Sequence, residues 1–215
     1  MPSRNHSLYA DLSDRPEQQI TAIMKIPYVS NPPETTTPED AAIVARIQAR
    51  RAPRPLIPLD LALLHAPPVA DGWNSFLGAI RTKTSLPDDL RELAICRVAV
   101  CNKAWFEWAH HAPLAVAGGV SAAALDVVKA EPLPAARPAA LLNEKQWAVL
   151  RYADEMTRLV QVGDEVFKLV RAHFNDRETV EITATVSAYN CVSRFLVALD
   201  VGEKNGTGPG DIAAH

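Results

Sequence analysis

Between Thr37 and Leu199 the apolar residues recur at helical spacing almost without a break, and few stretches alternate with the period a half-buried strand needs. No hairpin signature joins two β-rich runs, because Asn205-Gly206 lies in the final stretch. The pattern predicts an all-α, compact single domain of about eight helices. Thr37-Pro38-Glu39-Asp40 opens the first with a capping hydroxyl, a proline at the first helical position and two acids against the dipole. Leu59–Leu64 is a short apolar piece before Pro67-Pro68, and Val69–Ile80 places Trp73, Phe76, Leu77 and Ile80 on one side. Further helices follow over Asp88–Cys101, Ala104–Ala117 with Gly118-Gly119 as its stop, and a short stretch from Ser121. The last three are Gln146–Val160 behind the capping box Asn143 to Gln146, Glu165–Phe174, and the long apolar run from Asp176 to Leu199. Residues 1–36 read as an extended, proline-broken arm, residues 37–201 as the helical domain, and residues 202–215 as a flexible glycine-rich tail.

Charge and cysteine usage narrow the function classes. A net charge of −3 across 215 residues forces no basic surface, so neither nucleic acid nor anionic membrane is an expected partner. No uninterrupted apolar run approaches the roughly 18 residues that span a bilayer, and Met1–Asp14 has no secretory apolar core. Cys96, Cys101 and Cys191 are odd in number and sit in apolar surroundings, which reads as reduced thiols of a cytoplasmic protein.

One segment carries more chemistry than a helix surface needs. Glu107 and His111 are four residues apart, one turn from each other on one face, amid Trp105, Phe106, Trp108, Ala109, Ala112 and Pro113. An acid and an imidazole in apolar company have displaced proton affinities and can exchange protons near neutrality. Glu92 joins them if Asn102-Lys103 is the corner between two antiparallel helices. Counted from Asn102, Glu92 lies ten residues before and His111 nine after, each roughly 14–15 Å from the corner at about 1.5 Å per residue. The count gives their height along the helices and not their facing. His111 is therefore the expected acid/base, with Glu107 and Glu92 orienting it or relaying protons. The ordinary alternative is a surface Glu–His pair that contributes a few tenths of a kcal/mol.

From about Leu56 to Val201 the chain resembles the carboxymuconolactone decarboxylase and alkylhydroperoxidase D-like family. The resemblance rests on Leu63-Leu64-His65-Ala66-Pro67, Arg91-Glu92-Leu93, Phe106-Glu107-Trp108-Ala109-His110-His111, Ala115 with Gly118-Gly119, and Tyr189–Phe195. It implies a helical fold assembled as homotrimers or hexamers, with active sites near subunit contacts. The peroxidase branch carries Cys-x-x-Cys-x-x-x-His with a Glu twelve residues before the first Cys. By that spacing the His falls on His111 and the Glu on Glu92, but the cysteine positions fall on Ala104 and Glu107. A thiol peroxidase or disulfide reductase needs a thiolate there, so the departure argues against both.

The decarboxylase branch keeps the proton-transfer residues without the thiols. It implies a cofactor-free lyase acting on a small carboxylated lactone or unsaturated metabolite, with related isomerase, dehydratase or cyclase chemistry and non-catalytic ligand binding as alternatives. Substrate-binding candidates are His110, Trp108, Arg97, Tyr189 and His65, with Asn190 and Arg194 near the same cleft. Against them stand plainer roles: core packing for Trp105 and Trp108, a salt bridge for Arg97 and a structural hydrogen bond for His65. No metal site is expected, since adjacent His110 and His111 point about 100° apart around a helix.

Overall fold

The structure, a computed structural model, describes residues 24–210. The expectations for residues 1–23 and 211–215 lie outside it. Nine helices and no strand are formed among the described residues: α1 (Pro38–Arg51), α2 (Pro58–Leu63), α3 (Pro67–Thr82), α4 (Asp88–Cys101), α5 (Trp105–Ala117), α6 (Ala122–Lys129), α7 (Glu144–Leu159), α8 (Asp164–Arg171) and α9 (Asp176–Leu199). Three of the caps, Thr37, Ser121 and Asn143, are the predicted ones, and the last helix is capped by Asn175, one residue before the expected start at Asp176. Thr37, Ser121, Asn143 and Asn175 each accept a backbone N–H of the first turn, and Gln146 and Glu178 reciprocate toward Asn143 and Asn175. The ninth helix is the short apolar piece before Pro67, closed into α2 by Asp60 Oδ2 accepting from the Ile57 N–H at 3.0 Å. α3 starts two residues earlier than the periodicity indicates, because Pro67 and Pro68 occupy first-turn positions that need no N–H.

α4 is the axis of the molecule. Leu93, Ile95, Cys96, Val98 and Ala99 on it have no solvent exposure, and α5, α7, α9 and α6 pack around it. Burying each of its Leu and Val side chains contributes about 1.5–3 kcal/mol. A helix enclosed on every side must bury its polar positions too, and Glu92 and Arg97 are both inside. Arg97 is satisfied within the core: it donates to Asp154 and to the carbonyls of Val128 and Ala130. α9, though interrupted by Glu181 and Arg194, is by length and composition alone long and apolar enough to cross a membrane. It packs here against α3, α4, α5 and α7.

Residues 24–36 and 202–210 are fastened to each other. Tyr28 donates its hydroxyl proton to Glu203 at 2.9 Å and accepts the Gly202 N–H at 2.8 Å, while the Lys25 N–H reaches the Leu199 carbonyl. Burial pushes the Tyr28 phenol up to about 12, opposed by the Gly202 N–H and supported by Glu203. Gly202 has φ +76 and lies flat against the Phe106 ring. An added Cβ there would sit 2.1 Å from Phe106 Cδ2. Gly202→Ala is therefore expected to destabilise the protein by about 1–3 kcal/mol in urea unfolding. A change below about 0.5 kcal/mol, the ordinary surface range, would show that the turn does not brace Phe106.

Candidate active site

The corner between α4 and α5 forms at the predicted place. Asn102 ends α4, and Lys103 takes a left-handed φ of 55 that turns the chain back on itself. The two helices then run side by side, and the equal heights of Glu92 and His111 become a contact. His111 Nδ1 donates to Glu92 Oε2 at 2.6 Å, with the residues only 5% and 3% exposed. On the other side of the ring, Arg81 Nη2 lies 3.4 Å from His111 Nε2. A guanidinium only donates, so Nε2 presents its lone pair and the imidazole is the neutral Nδ1–H tautomer. Burial holds this ring below the ordinary imidazole value; Glu92 opposes the effect, and Arg81 and His110 reinforce it.

Tyr189 completes the seat of the imidazole. It comes from α9, is fully buried, and meets His111 edge-on with ring centroids 4.9 Å apart. Its hydroxyl accepts from Arg81 Nε at 2.7 Å. Burial pushes its phenol well above the ordinary range, against the pull of Arg81.

Glu107 behaves differently from the expectation that it orients His111. It is 1% exposed, and neither carboxyl oxygen has a hydrogen-bond partner among the described residues. Burial drives its proton affinity far above that of an ordinary carboxyl, with Arg81 opposing. Such surroundings favour its protonated, uncharged form.

All of these residues but Tyr189, which stays behind the imidazole and does not line it, face one cavity of about 280 Å³. Its wall takes Glu92, Glu107, His110 and His111 from α4 and α5, Val192 and Leu196 from α9, and Phe106 and Leu114 as apolar lining. His110 turns Nδ1–H back to the Phe106 carbonyl at 2.8 Å and presents its other edge at the rim. Four arginines also line it: Arg51, Arg54, Arg81 and Arg91. Arg51 is matched by Asp60, and Arg91 by Asp88 and Glu92. Arg54 and Arg81 form no ion pair among the described residues.

The other candidates lie elsewhere. Arg97 serves the α4–α7 core, Trp108 is packed into the hydrophobic core, and His65 donates Nε2–H to the Pro27 carbonyl at 2.7 Å. None of the three lines the cavity. Asn190 bonds Thr157 and the Val186 carbonyl, and Arg194 bonds Asn190, so neither faces it. Arg81 was not identified from the sequence, although it follows Leu77 by four residues and so shares that helix's buried face. Among the described residues no group of three His, Cys, Asp or Glu side chains is arranged to hold a metal ion. No cysteine lines the cavity: burial, with Glu92 and Glu107 adding to it, raises Cys96 strongly, and burial lifts Cys101, which donates to Asp154, to about 12.

Residues 67–155 match the sequence pattern of the Carboxymuconolactone decarboxylase family. No curated protein matches the chain by sequence. Among solved structures, a peroxidase-related protein from Silicibacter superposes with a TM-score of 0.64 at 16% identity, covering 84% of this chain and 95% of its own. An alkylhydroperoxidase AhpD core protein from Ralstonia eutropha gives 0.61 at 20% identity, covering 81% and 95%. The debrominase Bmp8, in complex with 2,3,4-tribromopyrrole, gives 0.58 at 15% identity, covering 76% and 84%. At such identities the likeness concerns the fold, which is the all-helical, alkylhydroperoxidase D-like one.

An unpartnered buried carboxyl costs stability. Glu107→Met is expected to stabilise the protein by about 1–3 kcal/mol. Native Glu107 holds its proton more tightly than the unfolded chain does, so wild-type stability falls as pH rises from the ordinary carboxyl range toward the native value. The gain in the variant is therefore larger at about pH 8 than at about pH 5. Urea unfolding at both checks this, and a variant less stable than wild type at both would contradict the isolation of Glu107.

Proposed function

From a chain that carries the Carboxymuconolactone decarboxylase family pattern over residues 67–155, we propose a cofactor-free carboxy-lyase that works by acid–base proton transfer on a small carboxylated lactone or unsaturated metabolite. The observation that carries the proposal is the pairing of two uncharged proton carriers in one cavity. His111 turns its Nε2 lone pair toward Arg81 with Glu92 behind the ring, and Glu107 is a buried carboxyl with no hydrogen-bond partner among the described residues. Such a pair takes a proton at one point and gives one at another without creating a net buried charge.

In a decarboxylation the electron pair of the C–COO bond passes into the conjugated carbonyl and CO₂ leaves. The resulting dienolate carbon takes the proton of Glu107. Glu107, now a carboxylate, recovers a proton from solvent through His111, whose imidazolium is stabilised by the Glu92 carboxylate in the transient state. The Arg-rich wall supports an anionic substrate, and about 280 Å³ suits a small metabolite. The same two groups would serve an isomerase, a dehydratase or a cyclase, with His111 taking a proton from one atom and Glu107 delivering one to another. Thiol peroxidase chemistry has no support, since Ala104 and Glu107 occupy the two cysteine positions and Cys96, Cys101 and Cys191 line no part of the cavity.

The proposal includes a cytoplasmic homotrimer or hexamer, with no nucleic-acid or membrane partner. Leu114, 49% exposed and at the cavity rim, and Val116, 50% exposed, offer an apolar edge beside the site to a second subunit.

The test is a panel of carboxylated lactones scored for CO₂ release and solvent-deuterium incorporation. His111→Ala and Glu107→Gln are each expected to lose about 10²–10⁴-fold in turnover. Unchanged turnover in both, with the fold intact, overturns the mechanism.

A further inference from the structure

His111 is seated as a base, yet its lone pair is already occupied. Arg81 Nη2 stands 3.4 Å from Nε2, a long contact, while Arg81 Nε is tied at 2.7 Å to the Tyr189 hydroxyl. The guanidinium also lies over the Tyr189 ring, 5.7 Å from its centroid. Tyr189 is fully buried and packed edge-on against His111. Arg81 is therefore hinged at Nε on a fixed phenol, with its outer nitrogens toward the imidazole and the cavity it lines. No carboxylate lies within ion-pair distance of it among the described residues, and Nη1 has no partner there. Glu92 and Glu107 line the same cavity and act on Arg81 only from beyond ion-pair distance, so a cation with no paired acid, while the neighbouring Arg51 and Arg91 each hold one, is suited to an incoming anion.

Resting on the acid–base reading above, we propose that Arg81 is the anchor for the substrate's carboxylate and that taking up this carboxylate unmasks His111. A carboxylate offers the guanidinium two charge-assisted hydrogen bonds, each about twice as strong as a neutral one and far shorter than the contact to Nε2. Arg81 then transfers its outer nitrogens from the imidazole to the substrate. Two consequences follow together. Nε2 becomes free to accept a proton, and the positive charge beside it is neutralised. The base is thus switched on only when an acid is bound, and an empty site does not charge its imidazole.

The groups facing His111 limit the alternatives. Glu92 on α4 holds Nδ1, His110 is its neighbour on α5, Glu107 shares the cavity, and Tyr189 on α9 packs on the ring. Arg91 is already engaged by Asp88 and Glu92. Arg54 also lacks an acid, but it makes no contact with the imidazole. Only Arg81 touches both the lone pair and the cavity.

The probe is 2-furoate, a small ring carboxylate, with furan-2-carboxamide as its uncharged counterpart. The readout is the His111 titration followed by NMR of histidine-labelled protein, assigned with His111→Asn. In wild type, saturating 2-furoate is expected to raise the His111 midpoint by about one pH unit or more, and the carboxamide to leave it in place. In Arg81→Met the unliganded midpoint is already raised, 2-furoate adds nothing, and its affinity falls at least about tenfold, the loss of one anchoring charge. Arg81→Lys, which keeps the charge without the planar fork, retains the low unliganded midpoint and binds 2-furoate weakly. An equal 2-furoate shift in wild type and Arg81→Met, no shift in saturated wild type, or no 2-furoate binding to wild type would each overturn the proposal. Because the readout is titration and not turnover, these results are independent of whether His111→Ala and Glu107→Gln abolish catalysis.

Discussion

The hydrogen bond from His111 Nδ1 to Glu92, 2.6 Å long and buried between two helices, organises everything around it. It fixes the tautomer, so the other nitrogen must carry the lone pair. It also gives α4 a reason to bury a carboxylate at its centre. A buried acid with no partner costs several kcal/mol, and the imidazole N–H together with Arg91 meets that cost locally. The remaining features then have definite roles: Tyr189 backs the ring, Arg81 covers the lone pair, and the cavity opens beside both.

Glu107 is the counterpart that this arrangement leaves unassisted. One turn earlier on the same helix, it has the burial of Glu92 and none of its partners. Identical side chains thereby acquire opposite tasks, one holding a neighbour in place and the other keeping a proton. Such a carboxyl lowers stability where it stands, beside the cavity that it lines. The fastened termini belong to the same picture, since the Gly202 turn presses on Phe106, whose ring stacks on His110 at a centroid distance of 4.3 Å.

Much of this was legible in the sequence because it follows from spacing along helices. The Asn102-Lys103 corner and a constant rise were enough to bring Glu92 level with His111, and the Asn143 box marked its helix. What spacing cannot give is facing and partnership. Trp108 and Arg97 sit in the same chemistry-rich stretch as His111, yet they turn to the core, where Asp154 from α7 claims Arg97. Arg81 is recruited from a different helix, and its meaning depends on Tyr189, 108 residues away. Glu107 was visible as a residue, but its isolation is a property of everything packed around it. The six-residue α2 shows in the sequence only as a short apolar piece, because its closing contact comes from one side chain, Asp60.

The central claim is that an uncharged imidazole and an uncharged carboxyl share one cavity at neutral pH. Infrared difference spectroscopy between wild type and Glu107→Gln at neutral pH tests it on the group with no partner. The account predicts that the wild-type spectrum contains the carbonyl stretch of a protonated carboxylic acid that is absent from the variant. A difference spectrum with only the paired bands of a carboxylate would mean that Glu107 is ionised at rest, and would contradict the account.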